Sequence, residues 1–382
     1  MASGILRQRS KGSWSIILSL GTDPATGERI RKWSTVRGTK KQAHDKMIGL
    51  LNDANGGVMP ASGKETVRSW LGTWLRDIVA KRNRPRTIAG YESIVEHHIN
   101  PKLGNIALAK LTPNDVDGLT AGIMADGRTA NTALHVFTTL RKALRDAEKR
   151  GLVGRNVCRI ADPPKVEAYR VDAPEIADVQ KVISEARGTP YAPITEFMAL
   201  TGVRRGEAIA LKWLSVDLDR GVCMITESAV RISGQKQIVQ PTKSAAGRRG
   251  IALDPIAIAF LRDHRARQLE YSLQMYPAYT DNGYVFPGAR GQMMDLDRLS
   301  HDFKAIAKRA GYPRMRLHDL RHAHASGLFK AGTHPKVVQE RLGHASAAFT
   351  MQVYGHVAAG LQAEAAGAFS KLLATKAVQG ER

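Results

Sequence analysis

Hydrophobic positions recur along this chain with changing rhythm, and each change marks a block. In the first, residues 1–62, GSWSIILSL and RIRKWSTV alternate apolar with polar residues, the two-residue period of strands with one covered face. The turn-rich GTDPATGE between them predicts an antiparallel pairing. TKKQAHDKMIGLLNDANGG then takes up the helical period, opened by a capping-box pattern at Thr39 and Gln42 and closed by Asn55-Gly56-Gly57.

Residues 63–165 are helical in pattern throughout. TVRSWLGTWLRDIVAKR places Trp70, Leu71, Trp74, Leu75 and Ile78 on one face, which predicts a core stripe. TIAGYESIVEHHI follows, then Thr112-Pro113 sets an N-cap and first-turn proline before NDVDGLTAGIM, and NTALHVFTTLRKALRDAEKRG runs as a long helix to Gly151. Four helices are expected here. NVCRIADPPKVEAYRV, stiffened by Pro163-Pro164, reads as a linker. In the third block, 171–382, LHDLRHAHASGLF predicts a helix that buries Leu317, Leu320, Ala323 and Leu328 and leaves His318 and Arg321 at the edge. QPTKSAAGRRGIAL has strand-like flanks around a Ser-Ala-Ala-Gly turn, the pattern of a hairpin, and AAGLQAEAAGAFSKLLATKAV reads as a terminal helix. The expected fold is multidomain α+β: a small sheet plus helix, an all-α four-helix domain, and a mainly α domain with a small antiparallel sheet.

Charge narrows the class of partner. The 382 residues hold 57 Lys+Arg against 35 Asp+Glu, a formal net charge of +22, which suits a polyanion. Charge alone fits a ribosomal or membrane-surface protein equally well. No apolar run approaches the roughly 18 residues of a spanning helix, and MASGILRQRSKGSW is too short in apolar residues for a signal peptide. Two cysteines, Cys158 and Cys223, make no disulfide framework, so a reducing cytoplasm is expected.

The candidate chemistry lies in the third block. TGVRRGE, PTKSAAGRR, HDLRH, RLGHAS and MQVYGHV occur in that order. Metal-free attack on a phosphodiester needs fixed cations where negative charge builds up, and arginine meets this with paired donors and a permanent charge. Arg204 and Arg321 are the candidates for such a clamp, with Arg205 as competitor. His318 and Arg321, at i and i+3, share a helix face. Taken singly, H-x-x-R fits an ordinary exposed helix and Tyr354 an ordinary core edge. His318 and His322 also have the spacing of a helical zinc motif, with His324 nearby; but Asp319 stands where that motif has glutamate, and Arg321 would repel a dication.

As an ordered set, these motifs resemble the catalytic domain of the tyrosine recombinases, the phage-integrase family. The resemblance implies Arg204 as the first arginine with Glu207 at the acidic position, Lys243 as the lysine, His318 and Arg321 as the His-x-x-Arg pair, His344 at the histidine-or-tryptophan position, and Tyr354 as nucleophile. It implies a 3′-phosphotyrosine intermediate, with Lys243 protonating the leaving 5′-oxygen, His318 accepting or positioning the tyrosine proton, His344 donating to a phosphate oxygen and Glu207 orienting a neighbour. A surface salt bridge is the alternative for Glu207, and a solvated lysine touching backbone phosphate the alternative for Lys243. No ATP, cofactor or metal is implied. The first block resembles the arm-site-binding domain of the larger, lambda-type integrases, with Arg29, Arg31, Lys32, Lys40 and Lys41 as its basic face, or else a merely solvated one. The second resembles their core-binding (SAM-like) clamp, where Arg82, Arg84, Arg86 and Thr87 form a basic loop that touches phosphates or simply faces water.

The function this implies is integration and excision of a phage or other mobile element at DNA attachment sites, by a homotetramer in the cytoplasm of a bacterial host, on its nucleoid. A host DNA-bending protein and an excisionase-type directionality factor are the further partners the resemblance brings. The terminal helix either folds back on its own domain or docks on a neighbouring protomer. Two alternatives stand beside this: a Xer-like recombinase resolving chromosome dimers or plasmids, and a non-catalytic DNA-binding regulator with the same fold.

Overall fold

The computed structural model describes residues 3–22, 29–55, 65–167, 173–232, 236–242, 245–344, 346 and 351. Lys243, Tyr354 and the expected terminal helix lie outside the described residues, as does the side chain of Lys32. The chain divides into two compact units, residues 1–168 and 169–382.

The first unit begins with a three-stranded antiparallel meander, Ser3–Ser10, Ser13–Thr22 and Arg29–Arg37, with the helix Lys40–Asn55 lying against its first two strands. Alternation sorts the residues as the sequence predicts. Ile16 and Leu18 are buried, and the expected capping box forms, with Thr39 N–H donating to Gln42 Oε1 at 2.9 Å. The opposite face carries Arg7, Arg29, Arg31 and Arg37 around the exposed Trp33.

The helices Val67–Trp74, Pro85–Ile94, Pro113–Ala125 and Ala130–Lys149 enclose a second core, and the first two each continue through a π-helical turn, Leu75–Val79 and Val95–Ile99. Trp70, Leu71, Trp74 and Ile78 are buried and Leu75 partly so, the predicted stripe. Both indoles keep a hydrogen bond: Trp70 Nε1 donates to the Ala143 carbonyl at 3.1 Å and Trp74 Nε1 to Asp146 Oδ2 at 2.9 Å. Of the expected loop around Arg82, Arg84, Arg86 and Thr87, only a two-residue break at Asn83 and Arg84 remains, Arg82 ending the short helix Ala80–Arg82. Pro85 starts a helix there, with Arg84 as its extended N-cap and Arg86 and Thr87 in its first turn.

The second unit is mainly helical, around a core that includes Phe197, Met198, Ile209, Phe286, Leu299, Phe303 and Leu320. Two small antiparallel sheets flank it. The expected hairpin around Lys243 is corrected. Ile238–Pro241 pairs with Glu227–Val230, whereas Arg249–Ala252 pairs with Val222–Ile225. The two flanks run in the same direction and each pairs with a different part of 222–230, so they cannot pair with each other. Ala245–Gly247, within the predicted turn, forms a short helical turn instead. Cys158 and Cys223 are both buried free thiols, pushed up to about 12 by that burial. Among the described residues no helix is long and apolar enough to cross a membrane.

Candidate active site

A helix end gathers the site. The helix Pro335–Leu342 stops at Gly343, whose φ of 66° is left-handed. His344 N–H donates back to the Gln339 carbonyl at 3.1 Å and Gly343 N–H to the Glu340 carbonyl at 3.1 Å, a Schellman arrangement. The Gln339 side chain closes the turn by donating to the His344 carbonyl at 2.8 Å.

The next three carbonyls each take an arginine from a different element. Arg249 Nε donates to the Arg341 carbonyl at 2.6 Å, Arg321 Nη2 to the Leu342 carbonyl at 2.7 Å, and Arg204 Nη2 to the Gly343 carbonyl at 3.0 Å. Cations suit the negative end of a helix dipole, and three converge here. Gly343 is required twice over. An added Cβ would meet the left-handed backbone and lie 2.9 Å from the Ala246 carbonyl oxygen and 2.9 Å from Arg249 Nη1. Gly343→Ala is expected to cost about 2 kcal/mol or more, seen as a thermal midpoint several degrees lower in calorimetry.

Arg321 departs from its predicted place at the edge of the helix Leu317–Lys330. It is 2% exposed, because its second amino group, Nη1, donates to the Gly202 carbonyl at 2.8 Å while Nη2 holds Leu342, so a charged fork sits inside with partners for both arms. Gly202 is itself the left-handed end of the helix Ala192–Thr201. His318, one turn earlier, is exposed and meets His322 edge to face, with ring centroids 4.7 Å apart. Among the described residues no group of three or more potential metal ligands comes together.

Arg204 caps the helix Arg205–Ala210, and Glu207 in its first turn takes both the Arg204 backbone N–H at 3.0 Å and Nη1 at 2.8 Å. Its competitor Arg205 turns away to the Leu296 carbonyl and the Ser300 hydroxyl. Glu207 is no surface ion pair. It is 3% exposed, and Arg249 grips it from the other side, Nη2 to Oε2 at 2.9 Å. Burial alone would raise its carboxyl, but Arg249 and then Arg204 hold it below the ordinary value. Two guanidiniums, of Arg204 and Arg249, thus share this one carboxylate, while Arg321 holds the Gly202 and Leu342 carbonyls beside them.

Sequence reasoning passed over Arg249 and Arg341. In RGIAL, Arg249 shares the inward phase with Ile251, and a charge on the buried side of a strand calls for a carboxylate partner. Arg341 donates from Nε to His324 Nε2 at 3.0 Å, while His324 Nδ1 faces the Ala199 carbonyl at 3.0 Å, so His324 has a structural place.

The imidazoles are held neutral. Enclosure lowers His318 to about 4, helped by His322 and Arg321, although part of its ring reaches solvent. Burial and then Arg341 lower His324 to about 4, and burial and then Arg321, Arg204 and Arg249 lower His344 to about 3. The ordinary value is 6.5, so on acidification the unfolded chain binds these protons first. The enclosed His324 and His344 therefore contribute stability that is full above about 6.5 and lost as pH falls toward about 4 and below. Melting curves at constant ionic strength are expected to show the second unit's midpoint falling steadily across that window; a flat profile would refute the assigned protonation.

Comparison with known proteins identifies a family. Residues 170–360 match the model described as "Phage integrase family", and residues 66–120 the "Phage integrase, N-terminal SAM-like domain". A "Tyrosine recombinase XerC-like" protein of Caldanaerobacter subterraneus is 26% identical, over 92% of this chain and 94% of its own. The ICEBs1 integrase of Bacillus subtilis is 24% identical, over 96% of this chain and 100% of its own. Among solved structures, a lambda integrase dimer bound to a COC′ core site superposes with a TM-score of 0.56 at 19% identity, covering 91% of this chain and 93% of the other.

Proposed function

The chain belongs to the phage integrase family, and from that premise we propose that it is a site-specific tyrosine recombinase that integrates and excises a mobile element at DNA attachment sites. The observation that carries the reading is the convergence of Arg204, Arg321 and His344 on one helix end, with positive charge in excess.

In this reading Tyr354 attacks the scissile phosphorus, forming the 3′-phosphotyrosine bond as the bond to the 5′-oxygen breaks, and Lys243 supplies the proton that the 5′-oxygen takes. His318, on the helix that carries Arg321, accepts or positions the tyrosine proton. Arg204 and Arg321 bind the non-bridging oxygens, His344 donates to one of them, and Glu207 orients Arg204. Conservation of the phosphoester bond through the covalent step makes ATP unnecessary.

We assign three domains: 1–62 to arm-type DNA, 63–165 to a four-helix core-binding clamp, and 171–382 to catalysis. Arg29, Arg31 and Lys32, joined by Arg7 and Arg37, would meet phosphates from the sheet, and Arg84, Arg86 and Thr87 from a helix start, where backbone N–H groups also favour an anion. Four protomers on two duplexes, a host DNA-bending protein and a directionality factor complete the proposal. The XerC-like relative, matched along most of its length, favours resolution of identical sites as a second reading.

The test is a denaturing gel for protein–DNA adducts on nicked duplexes taken from DNA flanking the gene. A detergent-stable adduct at one position supports the reading, and recombination between unlike rather than identical sites selects integration. Specific binding without any adduct would move the protein to the regulator class.

A further inference from the structure

We propose that Arg249 is a positioning residue of this site: it grips Glu207 and the Arg341 carbonyl together, and so fixes both the Arg204 guanidinium and the turn that presents His344. The inference rests on the reading of the pocket as a phosphate clamp.

Arg249 is buried on the inward side of its strand, and each of its three nitrogens is engaged within the protein. Nε donates to the Arg341 carbonyl at 2.6 Å, Nη1 to the Gly247 carbonyl at 3.1 Å and to Glu207 Oε1 at 3.3 Å, and Nη2 to Glu207 Oε2 at 2.9 Å. It therefore works on its neighbours rather than on a ligand. Arg204, by contrast, keeps 39% of its side-chain surface open.

Each Glu207 oxygen is shared between the two arginines. Oε1 takes Arg204 Nη1 and Arg249 Nη1; Oε2 takes the Arg204 backbone N–H and Arg249 Nη2. With Arg204 alone each oxygen would keep one donor, the fixed backbone N–H on Oε2 and the mobile guanidinium on Oε1, so Oε1 could still swing about Oε2 and carry the guanidinium with it. The fork of Arg249 closes both oxygens in one plane and removes that freedom. An independent observation concerns the turn: a Cβ on Gly343 would lie 2.9 Å from Arg249 Nη1, so the residue before His344 is one that leaves room for this guanidinium. Fold stability does not by itself demand the pair, since a buried ion pair is commonly replaceable by uncharged groups of similar volume at little cost.

The experiment uses the full chain and compares wild type, Arg249→Met, Arg249→Lys, Glu207→Gln and the double variant Arg249→Met with Glu207→Gln. Single-turnover adduct formation at saturating DNA is measured beside DNA affinity. Arg249→Met is expected to slow cleavage about 10²-fold, the scale of a small misplacement of a reacting group, with affinity changed by no more than about threefold. Arg249→Lys, which keeps the charge and loses the fork, should recover little of the loss. The double variant should cleave no more slowly than the worse single one, because both changes act on one guanidinium. It also leaves no unpaired carboxylate, so it carries the test if Arg249→Met does not fold. Losses that multiply in the double variant, full recovery by lysine, or a wild-type cleavage rate in folded Arg249→Met would each overturn the assignment. A wild type without any adduct overturns the reading of the site as well, whereas a wild-type adduct with an unaltered Arg249→Met rate overturns only the role of Arg249.

Discussion

Tyr354→Phe is expected to bind attachment-site DNA as wild type does and to form no covalent adduct with it. The substitution removes one hydroxyl and keeps the ring, so phosphate contacts made by arginines elsewhere are untouched. On the proposed mechanism no other group completes the exchange, and loss of a nucleophile in enzymes of covalent mechanism runs to the order of 10⁶-fold. A filter or gel-shift assay should give equal affinity, and a denaturing gel no shifted band. An adduct surviving in the phenylalanine variant would place the nucleophile elsewhere in the chain.

Arg321→Ala should have the next largest effect, and in two currencies at once. The side chain is 2% exposed and donates to two carbonyls, of Gly202 and Leu342, which would be left without it. An orphaned buried polar group costs about 1–3 kcal/mol, so with two of them stability should drop by about 2–6 kcal/mol, read by denaturant unfolding. Cleavage should slow by a further 10²–10³-fold, roughly the effect of removing one donor to a developing negative charge. Arg321→Lys separates the two, since a single ammonium cannot span both carbonyls with a fixed fork and still face a phosphate. Cleavage by folded Arg321→Ala within about tenfold of wild type would exclude the residue from the clamp.

What could be read from the sequence was local and periodic. The stripe from Trp70 to Ile78 and the alternation that buries Ile16 and Leu18 follow from spacing alone, as does the Thr39 cap. Pairing across distance was not legible. The flanks of Lys243 look like a hairpin until 222–230 is seen to supply a partner for each. The basic run around Arg84, Arg86 and Thr87 is mostly helical, because Pro85, between them, is a first-turn signal that charge alone does not reveal. The burial of Arg321 and Glu207 was hidden for another reason: long polar side chains go inside only when carbonyls or charges from remote segments await them. The order of the motifs pointed to the candidate residues, but it held no sign that one helix end would join Arg204, Arg249 and Arg321.

On the proposed reading, that helix end is a placeholder for DNA. Backbone carbonyls carry partial charge only, so they aim the arginines without cancelling them. Carboxylates in the same three positions would make the empty protein more comfortable and would compete with the incoming strand. On the proposed reading a phosphate would enter between guanidiniums whose direction the Leu342 and Gly343 carbonyls have already fixed, with Glu207 holding Arg204 from the side.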